Sequence, residues 1–351
     1  MTQLLTYPDI DPQQWQALID RSPYATWFQT KEAYEFYAAL SFELIPFVFG
    51  IEECRGDEAM RQLGDKDGSR LVGVIVGYIT RERNAIKQFF TRRAIIIGGP
   101  LLAEDISNEA LSMLLTSLKN LPSLQGGVGV GLPIYIETRN FHDYSKWKSV
   151  FETNGFAYQP HYDIHVHCNA QHQMSEQRIR QVKKALKNGA EIVEASSEQE
   201  IRDWYRILQQ LYREKVRTPL FSEEFFMQFY REGVGKYLLV KHQGNVIGGM
   251  MCPILDGKAI YEWYVCGMDE KYREQYPSVM ATYAAIEYAK RNNLPLFDFM
   301  GAGEPDIPYG VRDFKMEFGG ELVEHGRFLC IRKPILYEIG KFGVRISKRK
   351  I

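Results

Sequence analysis

Several features that mark particular protein classes are scarce or missing in this chain. Its five cysteines are scattered and form no C-x-x-C pair, which disfavours a zinc site or a disulfide framework and favours a reducing compartment. The absence of low-complexity tracts and of long uncharged apolar runs excludes a disordered or membrane-spanning chain. Residues 1–14 are polar and lack the cationic and apolar regions of a signal peptide. We therefore expect a globular protein in the cytoplasm.

A strong net charge is also missing. The formal net charge of -1 excludes a globally basic nucleic-acid binder, but two local basic patches remain. One is a predicted helix with Arg178, Arg180, Lys183, Lys184 and Lys187, and the other is the tail 327–351, with eight lysines and arginines against Glu338 alone. Each patch is either an ordinary solvated face or a surface for phosphates or an anionic membrane. The tail either packs on the body or lies on the inner face of the membrane as a peripheral contact, because it also carries Ile335, Leu336, Ile339 and Phe342.

The chain does contain a repeated order of short strands and helices. At 351 residues it exceeds one typical domain of about 150 residues, which favours two units. In the first half, apolar runs bounded by glycine or proline predict strands at 46–50, 71–79, 94–97 and 128–136, with a helix capped by Asn108 before the last. The second half repeats this order, with predicted strands at 237–241, 246–254, 259–266 and 294–300 and a helix at 277–291.

This repeat indicates one fold present twice. Val72-Gly73 and Ile247-Gly248 each lie in the second strand of their half, after a short polar turn, although chance is an alternative because such pairs are common in strands. Strand, hairpin, strand, helix, strand is the order of the GNAT core. We therefore predict an α+β fold of two tandem GNAT-like domains, each a mixed, mostly antiparallel sheet flanked by helices. We place the boundary near 168–173, which gives domains 1–170 and 171–351, the second with the basic tail.

A polar strand precedes that boundary. Alternation places Asp163, His165 and His167 on one face of it. Three such side chains could ligate a metal, but the sequence suggests no distant partner for them. We therefore predict an exposed edge strand and no metal site.

The start of the predicted helix at 277–291 bears on the acyl donor. In GNAT enzymes that use acetyl-CoA, this helix opens with Gln or Arg, two residues, Gly, one residue, then Gly or Ala, because glycine lets phosphates approach the backbone N–H groups of a helix N-terminus. In the matching window, Arg273 to Ser278, Tyr276 and Ser278 take the two small positions. Pro277 also removes an amide donor. The segment predicts a good helix start but a poor cradle for coenzyme A.

The C-terminal motifs resemble those of one family. The run Phe297-Asp298-Phe299-Met300-Gly301, the stretch Tyr309 to Gly320 and the later Lys333-Pro334 resemble the end of the Fem aminoacyltransferases, the nonribosomal peptidyltransferases that add bridge residues to peptidoglycan precursors. In the first half the resemblance rests on Trp27-Phe28-Gln29-Thr30 and Gly98-Gly99-Pro100. Some members carry a long helical-hairpin arm, whereas this chain has a single predicted helix at 175–188 and so resembles the compact type.

The resemblance implies a reaction without a cofactor. The donor would be aminoacyl-tRNA in place of acyl-CoA, and the acceptor would be an amine of the stem peptide in a muropeptide or lipid-linked peptidoglycan precursor. Attack on an ester carbonyl requires alignment of the two groups and stabilisation of the oxyanion. The resemblance places the second task, or binding of the donor's terminal nucleotide, on Lys315, with Phe314 packed beside it. The alternative is that Lys315 projects into water.

Two carboxylates are candidate bases. Asp298 lies in an otherwise apolar predicted strand, and Glu262 lies on the strand that splays in the GNAT core. A buried carboxylate needs a partner or has a raised pKa, and the second case suits a base that accepts the proton of the amine. The alternative for Asp298 is a structural aspartate that holds the turn at 301–303.

Candidate contacts for the anionic acceptor are cations and aromatic side chains. Lys31, Arg213 and Arg217 are candidate phosphate contacts, although residues 211–217 also fit an ordinary helix end. The aromatic candidates for lining the cleft, with core packing as the alternative, are Tyr261, Trp263 and Tyr264.

Two rival functions keep the same fold. One is an acyl-CoA-dependent N-acyltransferase acting on a sugar or amino-acid amine, which requires pyrophosphate binding despite Tyr276 and Pro277. The other is a non-catalytic module that recognises an envelope glycan or an RNA end.

Overall fold

A computed structural model describes residues 2–54, 69–81, 91–121, 132–169 and 171–349, with the side chains of 342–349 outside the description. The chain divides into two compact units. The first comprises Met1–Pro160 and His325–Ile351, and the second comprises His161–Glu324. Among the described helices, none is long and apolar enough to cross a membrane.

The first unit is a mixed sheet flanked by helices. Its strands are β1 Thr2–Thr6, β2 Leu44–Cys54, β3 Ser69–Thr80, β4 Arg93–Gly98, β5 Leu101–Leu102, β6 Tyr135–Asn140, β7 Ala157–Gln159 and β16 Arg327–Ile331. Its helices are α1 Pro12–Arg21, α2 Lys31–Ala39, α3 Asn108–Lys119, α4 Lys148–Thr153 and α10 Pro334–Arg349. The strand order is β1-β2-β3-β4-β6-β16-β7, with β5 paired to β3. Only β4 and β6 pair in parallel among these described strands.

Helix α3 shows how the sequence forms this unit. Apolar residues at helical spacing bury one face of it, as the pattern predicted. The cap differs by one residue from the prediction, because the hydroxyl of Ser107, and not the side chain of Asn108, accepts the N–H of Ala110 at 3.1 Å. The predicted strand 128–136 is shifted as well: β6 begins at Tyr135, and residues 128–131 lie outside the described residues.

The second unit repeats the arrangement. Its strands are β8 Tyr162–His167, β9 Ala190–Glu194, β10 Gly235–His242, β11 Asn245–Leu255, β12 Ala259–Tyr261, β13 Tyr264–Gly267, β14 Leu296–Asp298 and β15 Glu321–Glu324. Its helices are α5 Glu176–Lys187, α6 Glu198–Leu211, α7 Glu223–Glu232, α8 Pro277–Arg291 and α9 Gly310–Met316. The strand order is β15-β8-β14-β12-β11-β10-β9, with β13 paired to β11. The predicted α+β class with two tandem GNAT-like units is confirmed.

A wedge opens in the second sheet where the chain passes from β12 to β13. The sequence predicted one strand at 259–266, but the strand is interrupted at Glu262 and Trp263. Before the interruption, β12 pairs with both β11 and β14, and the last contact on the β14 side is the N–H of Glu262 donating to the carbonyl of Asp298 at 2.9 Å. After it, β13 pairs with β11 alone among the described strands. The splayed strand of a GNAT core is therefore present, and we call the opening between β13 and β14 the wedge.

The limits of the two units differ from the predicted ones. Strand β8 lies before the predicted boundary, yet it belongs to the second sheet. Strand β16 and helix α10 lie far beyond that boundary, yet they belong to the first unit. Both differences arise because strand pairing joins residues distant in sequence, which local composition does not record.

The prediction for β8 as an exposed edge strand was wrong. It pairs with β14 on one side and with β15 on the other. Asp163 and His165 are buried, and only His167, at the strand end, is exposed.

Candidate active site

Lys315 lies at the centre of the buried charges in the second unit. It is only 8% exposed, so the alternative of a lysine that projects into water was wrong. Its ammonium group donates to the carbonyl oxygens of Phe299 at 3.0 Å and Gly301 at 2.9 Å. It also forms an ion pair with Glu262 at 2.9 Å. The three N–H groups of the lysine therefore have three partners, and its charge is fixed beside the wedge.

Glu262 owes its position to the strand interruption. Its backbone makes the last contact before the wedge, and its side chain is 7% exposed. Burial raises the pKa of Glu262, and the charge of Lys315 opposes that rise. The residue is thus a carboxylate with a neutralising partner at the place where the two strands separate.

Asp298 is the last residue of β14, next to the wedge, but its side chain has different partners from that of Glu262. It is 1% exposed, and one carboxylate oxygen accepts the N–H of Met300 at 2.6 Å. The other lies 3.5 Å from the ring Nε2 of His165. A further aspartate, Asp163, accepts the N–H groups of Ile164 and Gly301, each at 2.7 Å. The contacts of Asp298 are those of a structural aspartate that, together with Asp163, holds the turn after β14.

Asp163, His165 and Asp298 form one buried cluster. Burial and the charge of Asp298 raise the pKa of Asp163 well above its usual value. Although burial alone would lower it, the Asp298 carboxylate raises the pKa of His165 to about 9. The His165 ring in turn lowers the pKa of Asp298 against the effect of burial. The cluster therefore disfavours ionisation of Asp163 and favours a charged pair of His165 and Asp298.

The same three residues could also hold a divalent cation. One ligand atom from each lies within 4.8 Å of the others. Asp298 is the distant partner that the sequence did not suggest for the polar strand β8. The ion pair of His165 with Asp298 already neutralises the Asp298 carboxylate without a metal ion.

The N-terminus of α8 already holds an anion from the chain itself. The carboxylate of Asp269 accepts the N–H of Ser278 at 3.1 Å and also the hydroxyl of Ser278. Tyr276 occupies the cap in the left-handed region, with φ of 44°, and Pro277 follows. A Cβ atom on Gly267 of β13 would lie 2.6 Å from the Ser278 nitrogen, so the strand approaches this first turn closely. The position where a GNAT enzyme binds pyrophosphate is thus occupied by a carboxylate.

Phe314 precedes Lys315 in α9, and its ring contacts the basic helix α5. The guanidinium of Arg178 lies 4.3 Å from the centre of the Phe314 ring and 5.3 Å from that of Phe318. Arg178 is 6% exposed and pairs with Glu317 at 3.3 Å. Arg178 therefore anchors α9 and is no part of a solvated basic face.

The remaining candidates lie in several places. Lys31 belongs to the first unit, where it pairs with Glu35 at 3.1 Å on the surface of α2. Arg213 and Arg217 belong to the second unit and are exposed on the π-helical turn that follows α6. The structure brings neither of these arginines into contact with the Lys315–Glu262 pair.

The three aromatic candidates also separate. Tyr261 is 1% exposed and belongs to the core, so the prediction that it lines the cleft was wrong. Trp263 and Tyr264 are half-buried and pack on α7, with ring centres 5.3 Å from Phe225 and 5.0 Å from Phe226, respectively. These two remain candidates for a wall of the wedge.

At the corresponding place in the first unit, the described residues form no charge pair. Strand β4 ends at Gly98. The hydroxyl of Tyr144 lies within hydrogen-bond distance of two carbonyl oxygens, that of Pro100 at 2.7 Å and that of Gly98 at 3.2 Å. The amide of Gln29 donates to the carbonyl of Gly99 at 2.8 Å. The two first-half segments of the family resemblance therefore contact one another. Sequence reasoning missed Tyr144, because nothing near it in sequence indicates where its hydroxyl lies.

Comparison with known proteins agrees with this geometry. Residues 175–316 match the family model described as "Acetyltransferase (GNAT) domain". Among solved structures, the chain is similar to FemX, with a TM-score of 0.67, 14% identity and coverage of 96% of this chain and 99% of that one. It is also similar to L-PGS from Bacillus licheniformis, with a TM-score of 0.55, 11% identity and 97% of both chains covered.

A third similar structure is a tandem GNAT protein from the clavulanic acid biosynthesis pathway, with a TM-score of 0.53, 10% identity and coverage of 94% of this chain and 98% of that one. No curated protein sequence matches the chain. At these identities the solved structures establish the fold, and the family model establishes the type of domain in the second unit. The chain is an acyltransferase with a GNAT domain in its second unit, built on a tandem GNAT fold similar to that of FemX.

Proposed function

We propose that this acyltransferase moves an amino acid from aminoacyl-tRNA to an amine in the stem peptide of a peptidoglycan precursor. The motif resemblance to the Fem aminoacyltransferases and the structural similarity to FemX support this choice. The reaction centre is the wedge of the second unit, with Lys315 and Glu262 as its charged groups.

The observation that carries the proposal is the occupied N-terminus of α8. A donor with a pyrophosphate would meet the Asp269 carboxylate at the first turn, where like charges repel and the Ser278 donors are already engaged. Pro277 supplies no N–H there. An aminoacyl ester needs no such cradle, because its reactive carbonyl is at the end of an RNA strand. The residues at this helix therefore favour the tRNA ester over coenzyme A.

In the proposed reaction the amine nitrogen attacks the ester carbonyl, and the carbon–oxygen bond to the ribose breaks. The proton lost by the amine finally resides on the ribose hydroxyl. Glu262 accepts that proton first, since burial raises its pKa towards the range in which it can exchange protons. Lys315, fixed by two carbonyl oxygens, stabilises the negative oxygen of the tetrahedral intermediate through its charge.

The acceptor contacts form the second part of the proposal. Arg213 and Arg217 are exposed guanidinium groups of the second unit. Lys31 is a separate candidate, a partly exposed ammonium of the first unit. Exposed cations of this kind suit the phosphates of a nucleotide- or lipid-linked precursor.

The test is to offer the purified protein a set of charged tRNAs together with a muropeptide precursor, and separately acetyl-CoA with the same precursor. Mass spectrometry would detect the added group. We expect an increase by the mass of one amino acid with charged tRNA and no acetylation. Acetylation without aminoacyl transfer would establish the rival acyl-CoA function, which the description of the matched domain favours.

A further inference from the structure

Among the described side chains of the C-terminal helix α10, Tyr337 contacts the first unit. The ring of Tyr337 packs edge-on against Tyr135 of β6, with ring centres 5.5 Å apart. Its backbone N–H donates to the carbonyl of Lys333 at 3.0 Å, which fixes the start of the helix. The face that carries Tyr337 is thus the face that meets the protein.

The most apolar part of α10 faces away from that contact. Ile335 and Ile339 are one helical turn apart and share a face that is far from Tyr337 around the helix. Ile335 is 78% exposed, more than any other large apolar side chain in the described part of the chain, and Ile339 is 52% exposed. The sequence continues this spacing with Phe342 and Ile346, whose side chains lie outside the description. An apolar stripe in water needs a partner.

The charge of the helix restricts what that partner is. Within α10 the sequence has Lys341, Arg345, Lys348 and Arg349 against Glu338 alone, although the whole chain has a net charge of -1. Pairing two copies through this stripe would bring two cationic helices together. An apolar stripe on a helix whose charged residues are mostly lysine and arginine instead matches a bilayer with anionic headgroups.

We propose that α10 docks on an anionic membrane surface, with Ile335 and Ile339 inserted among the acyl chains. The docking stands on the geometry of α10 and does not depend on the proposed reaction. Its consequence for the acceptor does rest on the proposed function: an enzyme held at the bilayer would act on the lipid-linked form of the precursor. This chooses between two acceptors that the sequence left open.

Vesicle co-sedimentation of the full chain tests the docking. The probes are vesicles of phosphatidylglycerol mixed with phosphatidylcholine and vesicles of phosphatidylcholine alone. We expect wild type to pellet with the anionic vesicles and to be released by salt. Ile335→Asp/Ile339→Asp should reduce that binding at least about tenfold, because it places two charges in the inserted stripe. Leu186→Asp is the matched control, since Leu186 is also an exposed apolar residue, 48% exposed, on a lysine-rich helix.

Three results would overturn the proposal. These are equal binding to both kinds of vesicle, no binding to either, or an unchanged affinity in the double variant. A dimer of wild type in light scattering that the double variant abolishes would assign the stripe to a second copy instead. The thermal transition of each variant serves as the folding check, and a water-soluble muropeptide acceptor separates this test from that of the reaction. Aminoacyl transfer to that acceptor should be the same in wild type and the double variant.

Discussion

The two units share a fold but differ in what occupies the end of the parallel strand pair. In the first unit, β6 ends at Asn140, an uncharged residue that accepts the hydroxyl of Thr138 at 2.9 Å and donates to the carbonyl of His325 at 3.1 Å. In the second unit, the pair ends at Asp298, and the next residue after β12 is Glu262. The first unit has Tyr144 beside the end of β4, whereas the second has Lys315 beside the wedge. Among the described residues, the duplicated fold therefore has buried charged side chains at one of two equivalent places.

The buried charges of the two units differ in the same way. In the first unit, Glu137 lies between Arg139 at 2.9 Å and Arg327 at 3.1 Å. Burial opposes the change, but these two cations lower the pKa of Glu137 to about 2, so it stays ionised. In the second unit, Asp163 and Glu262 have raised pKa values. Charged partners thus keep the buried carboxylate of the first unit ionised, whereas burial disfavours ionisation of the two carboxylates in the second.

Replacing Lys315 should show the largest difference between the units. Lys315→Ala leaves Glu262 buried without its cation, and we expect a loss of about 3–5 kcal/mol in the free energy of unfolding along with most of the activity. Lys315→Met/Glu262→Gln removes both charges at similar volume, so it should regain at least half of that stability and no activity. Chemical denaturation and turnover measure the two effects. A double variant as unstable as Lys315→Ala would contradict the pairing with Glu262.

The second-largest expected difference between the two units is in how their stability depends on pH. Glu137 has a folded pKa lowered from 4.5 to about 2, so its contribution is present above pH 4.5 and is lost as pH falls towards 2. His165 has a folded pKa raised from 6.5 to about 9, so its contribution is complete below pH 6.5 and is lost as pH rises through 9. Each amounts to about 3 kcal/mol.

Thermal unfolding from pH 2 to pH 10 measures both contributions: that of Glu137 on the acid limb of the stability curve and that of His165 on the alkaline limb. Glu137→Gln should flatten the acid limb and leave the alkaline limb unchanged. His165→Gln should flatten the alkaline limb, and it should also reduce the acid limb, because Asp298 then lacks the partner that lowers its pKa. An alkaline limb that Glu137→Gln alters, or that His165→Gln leaves unchanged, would contradict these assignments.

A smaller effect is expected at the first unit's equivalent of the wedge. Tyr144→Phe removes the hydroxyl that reaches the Gly98 and Pro100 carbonyls, so stability should fall by about 1 kcal/mol. Turnover should stay unchanged, because this place has a structural role only. Its matched variant in the second unit, Glu262→Gln, should lower kcat instead. A fall in kcat for Tyr144→Phe would show that both places take part in the reaction.

The smallest effects on stability should come from the exposed cations. Lys31→Ala in the first unit and Arg213→Ala in the second should each leave the free energy of unfolding almost unchanged. If they bind the acceptor, KM for the precursor should rise while kcat is kept. Unchanged KM in both variants would remove these two residues from the acceptor site.

The sequence was sufficient for the elements whose signal is local. Helix α8 has the predicted bounds because Pro277 suits the first position of a helix and alanines favour its interior. Strands β10 and β11 extend the predicted runs by one or two residues at each end. The interruption at Glu262 and Trp263 was missed because aromatic and β-branched residues continue through it, and only the pairing with β14 shows it.

The site was predictable only in part, for a physical reason. Lys315, Phe314, Asp298 and Glu262 could be named from motif and polarity, but their roles depend on contacts between distant residues. The cluster of Asp163, His165 and Asp298 joins β8 to β14, and the sequence contains no local sign of that pairing. Asp269 was likewise missed, because a carboxylate nine residues before Ser278 has no recognisable spacing from the helix start.

The most direct test of the second unit as an aminoacyl-transfer centre is a single-turnover assay with one charged tRNA and one precursor, comparing wild type with Lys315→Met/Glu262→Gln. We expect wild type to add one amino acid to the precursor. The double variant, once shown to be folded by its thermal transition, should react at least about a hundredfold more slowly. Equal rates in the two proteins, or transfer from acetyl-CoA in place of charged tRNA, would contradict the assignment.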